Sequence, residues 1–139
     1  MAICYEISDG SALADAVRRG ARWLLVTANL DPYPELLQHQ FLALARLRAI
    51  ETGRWLVSAA NTGPSLVVNP RGEVVSRLPP IEAASGWMRV RQRQQITPYT
   101  RWGETPLVAV LISASLIRVL QGPRHRSRSG ETLSVEVTR

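Results

Sequence analysis

The sequence predicts an α/β fold in which parallel strands are continued by an antiparallel meander. A β-like segment over residues 2–7, a short helix over 11–19 and an apolar run over 22–27 follow one another in the order of a βαβ unit, which is typical of a parallel sheet. A long amphipathic helix over 35–53 comes next. Three short β-like segments joined by tight turns then extend the sheet. They cover residues 55–59, 65–68 and 73–78.

Turn residues set the limits of the first three elements. Residues 8–11, with the sequence Ser-Asp-Gly-Ser, form a turn that can cap the following helix, and Gly20 stops that helix as a C-terminal glycine usually does. The run 22–27 is short, apolar and bounded by turn residues, so it suits a buried strand with both faces covered. Two prolines make residues 28–34 an irregular loop after this strand, where functional sites commonly lie.

The helix over 35–53 forms the structural spine of the chain, because its apolar residues recur largely at spacings of three and four. These residues are Leu36, Leu37, Phe41, Leu44, Ala45, Leu47 and Ile50. After the meander, Pro79 and Pro80 break the sheet, and the alternation over 86–91 allows one more strand. The polar residues 92–104 are expected to be irregular.

Residues 105–117 form a segment of thirteen residues without a charge. As a helix this segment would be about 20 Å long, which is shorter than the roughly 30 Å hydrocarbon core of a bilayer and favours a buried or interfacial helix. A spanning helix is favoured instead by Arg118, which could snorkel, by Trp102 at the opposite end, and by the arginines of the C-terminal tail. Both interpretations stay open on the residues alone.

Composition excludes several classes of protein. The chain has 139 residues, enough for one domain, and all 17 of its basic residues are arginine. A single Cys excludes an internal disulfide, and His39 and His125 lie too far apart to suggest a metal site. The net charge of +6 comes partly from a basic tail and no nucleic-acid-binding motif accompanies it, so we expect no nucleic-acid partner. The first residues lack the basic and apolar stretches of a signal peptide.

Cys4 is the strongest candidate for covalent chemistry. It lies where a strand gives way to a turn and a helix, and a thiol at such an elbow is exposed and close to helix-terminal amides that favour the thiolate. The structural alternative is a small buried hydrophobic residue, which is what a lone Cys usually is.

Five motifs, taken in order, resemble signatures of the nitrilase, or carbon-nitrogen hydrolase, superfamily. They are Ile3-Cys-Tyr-Glu6, Arg46-Leu-Arg-Ala-Ile-Glu51, Asn61-Thr-Gly with Ser65, Asn69-Pro-Arg-Gly-Glu73, and Thr97-Pro-Tyr-Thr-Arg-Trp-Gly103. No single motif is specific, but their order and spacing together are. The first motif, the last motif and the terminal apolar helix resemble the branch of bacterial apolipoprotein N-acyltransferases.

The resemblance implies a four-layer αββα sandwich, of which this chain supplies the second half, followed by a transmembrane helix. It divides the chain into nitrilase-like residues 1–95, a connecting loop 96–104, a transmembrane helix 105–121 and a basic, flexible tail 122–139. The implied location is the bacterial inner membrane, with the nitrilase-like part in the periplasm and the basic tail in the cytoplasm.

The reaction that the resemblance implies is acyl transfer in two steps. A Cys thiolate takes a fatty acyl group from a phospholipid as a thioester, and then passes it to the free α-amine of a diacylglyceryl-cysteine lipoprotein. Cys4 matches this nucleophile, and Tyr5 and Glu6 match residues of the substrate pocket. No metal or other cofactor is implied. The residues matched to structural support of the site are Arg48, Glu51 and Asn61.

Several of these residues have a plain structural alternative. Glu6 could equally be an acid that stabilises a helix N-terminus. Arg48 and Glu51 are three residues apart, so they could form an exposed pair worth only a few tenths of a kcal/mol. Asn29 and Asp31 could flank the pocket, although a turn-forming role is more usual for these residue types.

The chain also departs from the family pattern. The family triad contains a Glu base and a Lys that lie upstream of the Cys, whereas only three residues precede Cys4 and the chain has no Lys. We therefore expect the chain to be inactive alone, with the first half supplied by a longer gene product or by a separate chain. The loop 28–34 also lacks the aromatic-glycine sequence of most members. The alternatives are a soluble nitrilase-type amidase fragment and a non-catalytic, membrane-associated pseudoenzyme or assembly partner.

Overall fold

The computed structural model describes residues 1–79 and 82–121, and it contains a five-stranded mixed sheet, which confirms the α/β prediction. The strands are β1 (Ala2–Ile3), β2 (Leu24–Ala28), β3 (Leu56–Ala60), β4 (Leu66–Val68) and β5 (Val74–Arg77). The α-helices are α1 (Gly10–Arg18), α2 (Glu35–Thr52), α3 (Pro98–Trp102) and α4 (Thr105–Leu120), and Cys4–Ser8 is a 3₁₀ helix.

The strands follow one another across the sheet in sequence order. β1, β2 and β3 are parallel, with Val26 of β2 opposite both Ala2 and Ser58. β3, β4 and β5 are antiparallel, as the meander predicted. The carboxyl ends of β1 and β2 therefore lie side by side at one edge of the sheet, together with the segments that follow them.

One face of the sheet forms the hydrophobic core with α1 and α2. Alternate residues of β2 and β3 are buried on this face, as a half-covered strand requires, whereas all three residues of β4 are buried. α2 contributes small residues, Ala45 and Ala49, which are buried in the same cluster. The strand residues of the core are Ala2, Leu24, Val26, Leu56, Leu66 and Val68, and the α1 residues are Leu13 and Val17.

The last turn of the meander is built around one side chain. Asn69 Oδ1 accepts hydrogen bonds from the backbone amides of Arg71 (2.8 Å) and Glu73 (3.1 Å), which makes an Asx turn. Gly72 has φ of 78°, a conformation that glycine adopts readily. Arg46 of α2 donates to the Gly72 carbonyl at 2.8 Å and ties this turn to the helix.

Three details of the sequence prediction are wrong. The first strand ends at Ile3 rather than residue 7, because residues 4–8 form the 3₁₀ helix. Residues 86–91 adopt no regular structure: Met88 and Val90 are half-buried and their neighbours exposed, but none of the strands in the described ranges pairs with them. The segment 92–104 was expected to be irregular but contains α3, which Thr97 caps by accepting from the Thr100 amide, with Pro98 at its first position.

Buried arginine contacts hold the segment before α3 against the body. Arg54 is buried, and it donates to the carbonyls of Ala21 (2.9 Å) and Gln95 (2.6 Å). Thr97 donates to the carbonyl of Glu51 at the end of α2. Arg54 therefore links the residues after α1 to the segment before α3, and Thr97 ties that segment to α2.

The chain divides into two compact units, Met1–Thr105 and Pro106–Arg139, and of the second unit the structure describes residues 106–121, which are the rest of α4 and Gln121. α4 carries one charged residue, Arg118. Among the described residues, the helices are too short or too polar to meet the requirements of a membrane-spanning segment. The predicted basic tail, residues 122–139, lies outside the described residues.

Candidate active site

The chain turns sharply at Cys4, directly after β1. Cys4 is the first residue of the 3₁₀ helix and has φ of 49°, the one positive φ of a non-glycine residue in the described ranges. A residue with a Cβ avoids this region, and such strain concentrates at functional sites. The strand-to-helix elbow that the sequence predicted for Cys4 is thus present, in a tighter form.

Hydrogen bonds from the residues around Cys4 hold this elbow. Glu6 Oε2 accepts the backbone amide of Ile3 at 2.8 Å, so its carboxylate closes the turn over Cys4. Ser8 donates its hydroxyl to the Tyr5 carbonyl at 2.7 Å. Ile7 is buried in the core and anchors the other side of the helix. Glu6 therefore helps to hold the elbow in place. Its contact with substrate stays a prediction.

A small cavity of about 120 Å³ lies beside Cys4, at the carboxyl edge of the sheet. Cys4 and Tyr5 line it, whereas Glu6 is not among its lining residues. Most of its wall is apolar and comes from the loop after β2 and from one face of α2. The apolar lining residues include Ile7, Leu30, Tyr33, Leu37, Phe41 and Leu44.

Asn61 fixes the loop that forms one wall of this cavity. Its amide donates to Asn29 Oδ1 at 2.7 Å, and its carbonyl oxygen accepts the backbone amide of Leu30 at 2.9 Å. Gln38 of α2 donates to the Tyr33 carbonyl at 3.2 Å from the other side. The loop after β2 is therefore tied both to the loop after β3 and to α2. Asn29 forms a turn, by accepting the Asp31 amide, and also lines the cavity.

Arg48 and Glu51 form a largely buried ion pair. Arg48 Nη1 lies 2.5 Å from Glu51 Oε2, and the two side chains are 9% and 18% exposed. This geometry differs from the exposed pair that was the alternative in the sequence. Arg48 Nε is buried, and within the described residues it has no hydrogen-bond partner.

The first residue of α1 makes room for this pair. A Cβ on Gly10 would lie 1.7 Å from Arg48 Nη1 and 2.6 Å from the Tyr99 hydroxyl, so a larger residue would displace these side-chain ends. Burial raises the pKa of Glu51, Arg48 lowers it, and Glu104 raises it. The backbone amide of Ala12 holds the pKa of the neighbouring Asp9 below its usual value.

The structure thus brings Cys4 and Tyr5 together at one cavity and places Arg48 and Glu51 at a second, adjacent one. Ser8, at the end of the 3₁₀ helix, lines both. Sequence reasoning missed the cavity walls. Leu37, Phe41 and Leu44 have the helical spacing that also predicts core residues, and nothing in the sequence separates those two roles.

Comparisons with known proteins agree on the family. The family model described as carbon-nitrogen hydrolase matches residues 1–85. An apolipoprotein N-acyltransferase of Prochlorococcus marinus is 53% identical over 114 residues, which is 82% of this chain and 23% of that protein. Another, from Parasynechococcus marenigrum, is 59% identical over 101 residues, 73% of this chain and 22% of that protein.

A solved structure, an amidase of the nitrilase superfamily from Nesterenkonia AN1, has 26% sequence identity and a TM-score of 0.48 over 58% of this chain and 32% of its own. The chain spans less than a quarter of the length of the two curated relatives. The family match covers more than half of the chain, including the Cys4 elbow and the whole sheet. The chain therefore belongs to the carbon-nitrogen hydrolase family.

Proposed function

We propose that this chain forms the nucleophile-bearing part of an apolipoprotein N-acyltransferase, with Cys4 as the acyl-accepting thiol. The observation that carries the proposal is the position of Cys4, at a strained elbow and on the wall of an apolar cavity. The similarity to the N-acyltransferases of Prochlorococcus and Parasynechococcus supports it. Lipid acyl groups are apolar, and the cavity offers them an apolar surface.

The proposed reaction has two halves. The Cys4 thiolate attacks the ester carbonyl of a phospholipid, the C–S bond forms, and collapse of the tetrahedral intermediate breaks the C–O bond and releases a lysophospholipid, which takes up a proton. The α-amine of a diacylglyceryl-cysteine lipoprotein then attacks the thioester. The amide C–N bond forms, the thioester C–S bond breaks, the amine loses a proton, and Cys4 leaves as the thiolate.

Catalysis of this kind needs two groups besides the thiol. A base must deprotonate the thiol, and a donor must stabilise the oxyanion. The resemblance assigns these roles to a Glu and a Lys, and the chain has no Lys. We propose that they come from outside this sequence, from a longer polypeptide or from a separate chain. Tyr5 would then form part of the substrate pocket beside Cys4, and Glu6 would hold the elbow while facing the substrate.

A second sheet would complete the proposed αββα sandwich. On the sheet face opposite α1 and α2, Leu25 and Val57 are half-buried and Ala59 is exposed. An apolar sheet face is normally covered by another layer. We propose that the missing half of the domain packs here.

We also propose that the active assembly lies at the bacterial inner membrane, with the nitrilase-like residues 1–95 periplasmic and the basic tail 122–139 cytoplasmic. α4 is the proposed membrane contact, because twelve of its sixteen residues are apolar and Arg118 is its one charged residue. This arrangement would bring both substrates, phospholipid and lipoprotein, to the Cys4 site.

A chimaera tests the function directly. Residues 1–121 would replace the corresponding part of the Prochlorococcus enzyme, and acyl transfer from phospholipid to a diacylglyceryl-cysteine peptide would be followed by mass spectrometry. We expect transfer, and a loss of at least a hundredfold with Cys4→Ala. Ser76→Ala, on the exposed strand β5, is the matched control and should transfer normally. Equal transfer with and without the thiol would exclude Cys4 as the nucleophile.

A non-catalytic pseudoenzyme is the second candidate, and the absence of any Lys favours it. The same chimaera distinguishes the two, because it restores the Glu and the Lys. A chimaera that folds and binds lipid but forms no thioester on Cys4 would support the pseudoenzyme. Trapping of an acylated Cys4 after reaction with phospholipid alone would support the enzyme.

A further inference from the structure

A groove lined by three arginines lies beside the last turn of the meander. Its volume is about 330 Å³, and since a cavity of about 150 Å³ holds benzene, a phosphate group fits in it together with part of a larger molecule. Arg71 belongs to the turn between β4 and β5, whereas Arg91 and Arg93 belong to the segment before α3. Within the described residues, no carboxylate lines this groove.

The positive charge of these three groove arginines is only partly compensated. Among the described residues, the one acid that pairs with any of them is Glu73, whose Oε2 lies 3.5 Å from Arg71 Nε. The two side chains are 81% and 59% exposed, so this pair contributes little. Arg93 donates to Oε1 of the neutral Gln95 at 2.8 Å. An anion in the groove would therefore find guanidinium groups that acids have not already neutralised.

A fourth arginine adds to the charge beside the groove. Arg54 is buried, and it donates to the same Gln95, at the backbone carbonyl. Burial lowers the pKa of Arg54, and the positive charge of Arg93 lowers it further. The two guanidinium groups are thus close enough to repel each other, and a bound anion would relieve that repulsion.

We propose that this groove binds a phosphate group. A guanidinium fork matches two phosphate oxygens, and a tetrahedral anion presents its oxygens to arginines from two different segments, whereas one fork satisfies a planar carboxylate. Trp55 is half-buried in the wall and offers an apolar surface to the molecule that carries the phosphate. The headgroup of an anionic lipid and a soluble phosphate ester both present this chemistry.

The groove and the thiol lie toward opposite ends of the parallel strands. Trp55 directly precedes β3, whereas Cys4 directly follows the carboxyl end of β1. β2 lies between these strands, and its five residues span about 16 Å. In a phospholipid only a glycerol unit separates the phosphate from the ester carbonyls. The bound phosphate is therefore not that of the acyl donor at Cys4, and the inference goes beyond the proposed function.

Titration of the full 139-residue chain with glycerol 3-phosphate tests the proposal. The NMR signals of the arginine Nε–H groups report binding, and each is assigned by its loss in an Arg→Gln variant. We expect the signals of the three groove arginines to shift. The affinity should fall at least about tenfold when Arg71→Gln, Arg91→Gln and Arg93→Gln are combined.

The C-terminal tail provides a control with the same change in net charge. Arg124→Gln, Arg126→Gln and Arg128→Gln together also remove three positive charges, and they should lower the affinity less than about twofold. Equal losses in the groove variant and the tail variant would overturn the proposal, because they would show attraction to net charge alone.

A gain in affinity separates binding from damage to the fold. Glu73→Gln keeps an oxygen that can accept from Asn69, but it removes the charge that competes for Arg71. We expect glycerol 3-phosphate to bind about two- to fivefold more tightly. Glu35→Gln removes the charge of an exposed acid whose partner is His39, and it should leave the affinity unchanged. Binding that Glu73→Gln does not strengthen would contradict the site.

Vesicles distinguish the two sources of phosphate. The chain and its variants are sedimented with phosphatidylcholine vesicles, with and without phosphatidic acid. If the source is a lipid headgroup, the excess binding to phosphatidic acid falls at least about tenfold in the groove variant and persists in the tail variant. If the source is soluble, both variants bind the vesicles equally and only the loss with glycerol 3-phosphate remains. Groove-independent binding of both probes would refute the site without touching acyl transfer by the chimaera.

Discussion

Because Arg48 lies against Gly10, we expect even alanine at this position to destabilise the fold. In Gly10→Ala, the new Cβ would lie 1.7 Å from Arg48 Nη1, so the guanidinium must leave its place beside Glu51. Breaking a buried ion pair costs about 3–5 kcal/mol, and partial exposure of Glu51 returns some of this. Alanine in place of glycine gains about 0.4–1 kcal/mol. We expect a net loss of about 2 kcal/mol in the free energy of unfolding.

The loss should depend on pH. Burial already raises the pKa of Glu51 and Arg48 opposes this, so withdrawal of Arg48 raises the folded-state pKa further. A carboxyl whose folded pKa lies above its unfolded value contributes stability at low pH, and this is lost as the pH rises through the folded pKa. The deficit of Gly10→Ala should therefore be larger at pH 7 than near pH 4.

Urea unfolding of four proteins, arranged as a double-mutant cycle, measures the effect. In the Arg48→Ala background, Gly10→Ala should cost less than about 1 kcal/mol, because only the Tyr99 hydroxyl still stands in the way. Gly86→Ala is the control, since its Cβ would meet only the end of the Leu78 side chain. An equal cost of Gly10→Ala with and without Arg48, or no cost in either, would refute the reasoning.

Two further substitutions probe how loops are held. Asn61→Ala leaves the Leu30 amide without its acceptor, which should lower the free energy of unfolding by about 1–3 kcal/mol. Hydrogen exchange at Leu30 should become faster, and an unchanged exchange rate would contradict this. Arg54→Met removes the donors to the Ala21 and Gln95 carbonyls. Trypsin should therefore cut the segment before α3 at least tenfold faster than in the unsubstituted chain. Equal digestion would show that the Arg54 hydrogen bonds do not hold the segment.

The order of elements was predictable because each has a clear pattern. The βαβ start and the meander follow from short apolar runs separated by turn residues, and α2 follows from its apolar spacing. Helix α3 was not predicted, although Thr97 and Pro98 form a standard helix start, because the sequence around them is polar and indicates an irregular segment. The alternation over 86–91 is real in burial, but pairing also requires that the segment lie alongside an edge strand, and periodicity alone does not reveal its position in the fold.

The candidate site was predictable only in part. Cys4 was identified by its local sequence, and its elbow geometry follows from residues within four positions of it. The cavity beside it depends on packing between the loop after β2 and α2, which lie 25 or more residues further along. The same holds for Gly10, whose need to be glycine arises from Arg48, far away in sequence. Such long-range contacts leave no pattern in a single sequence.

The left-handed backbone at Cys4 sets stability and chemistry against each other. A side chain in this conformation costs on the order of 1 kcal/mol, and glycine would remove that cost. A fold selected only for stability would therefore have glycine rather than cysteine at this position. Under the proposed function the elbow marks a point where stability is exchanged for reactivity, and Cys4→Gly should give a more stable chain that lacks the nucleophile.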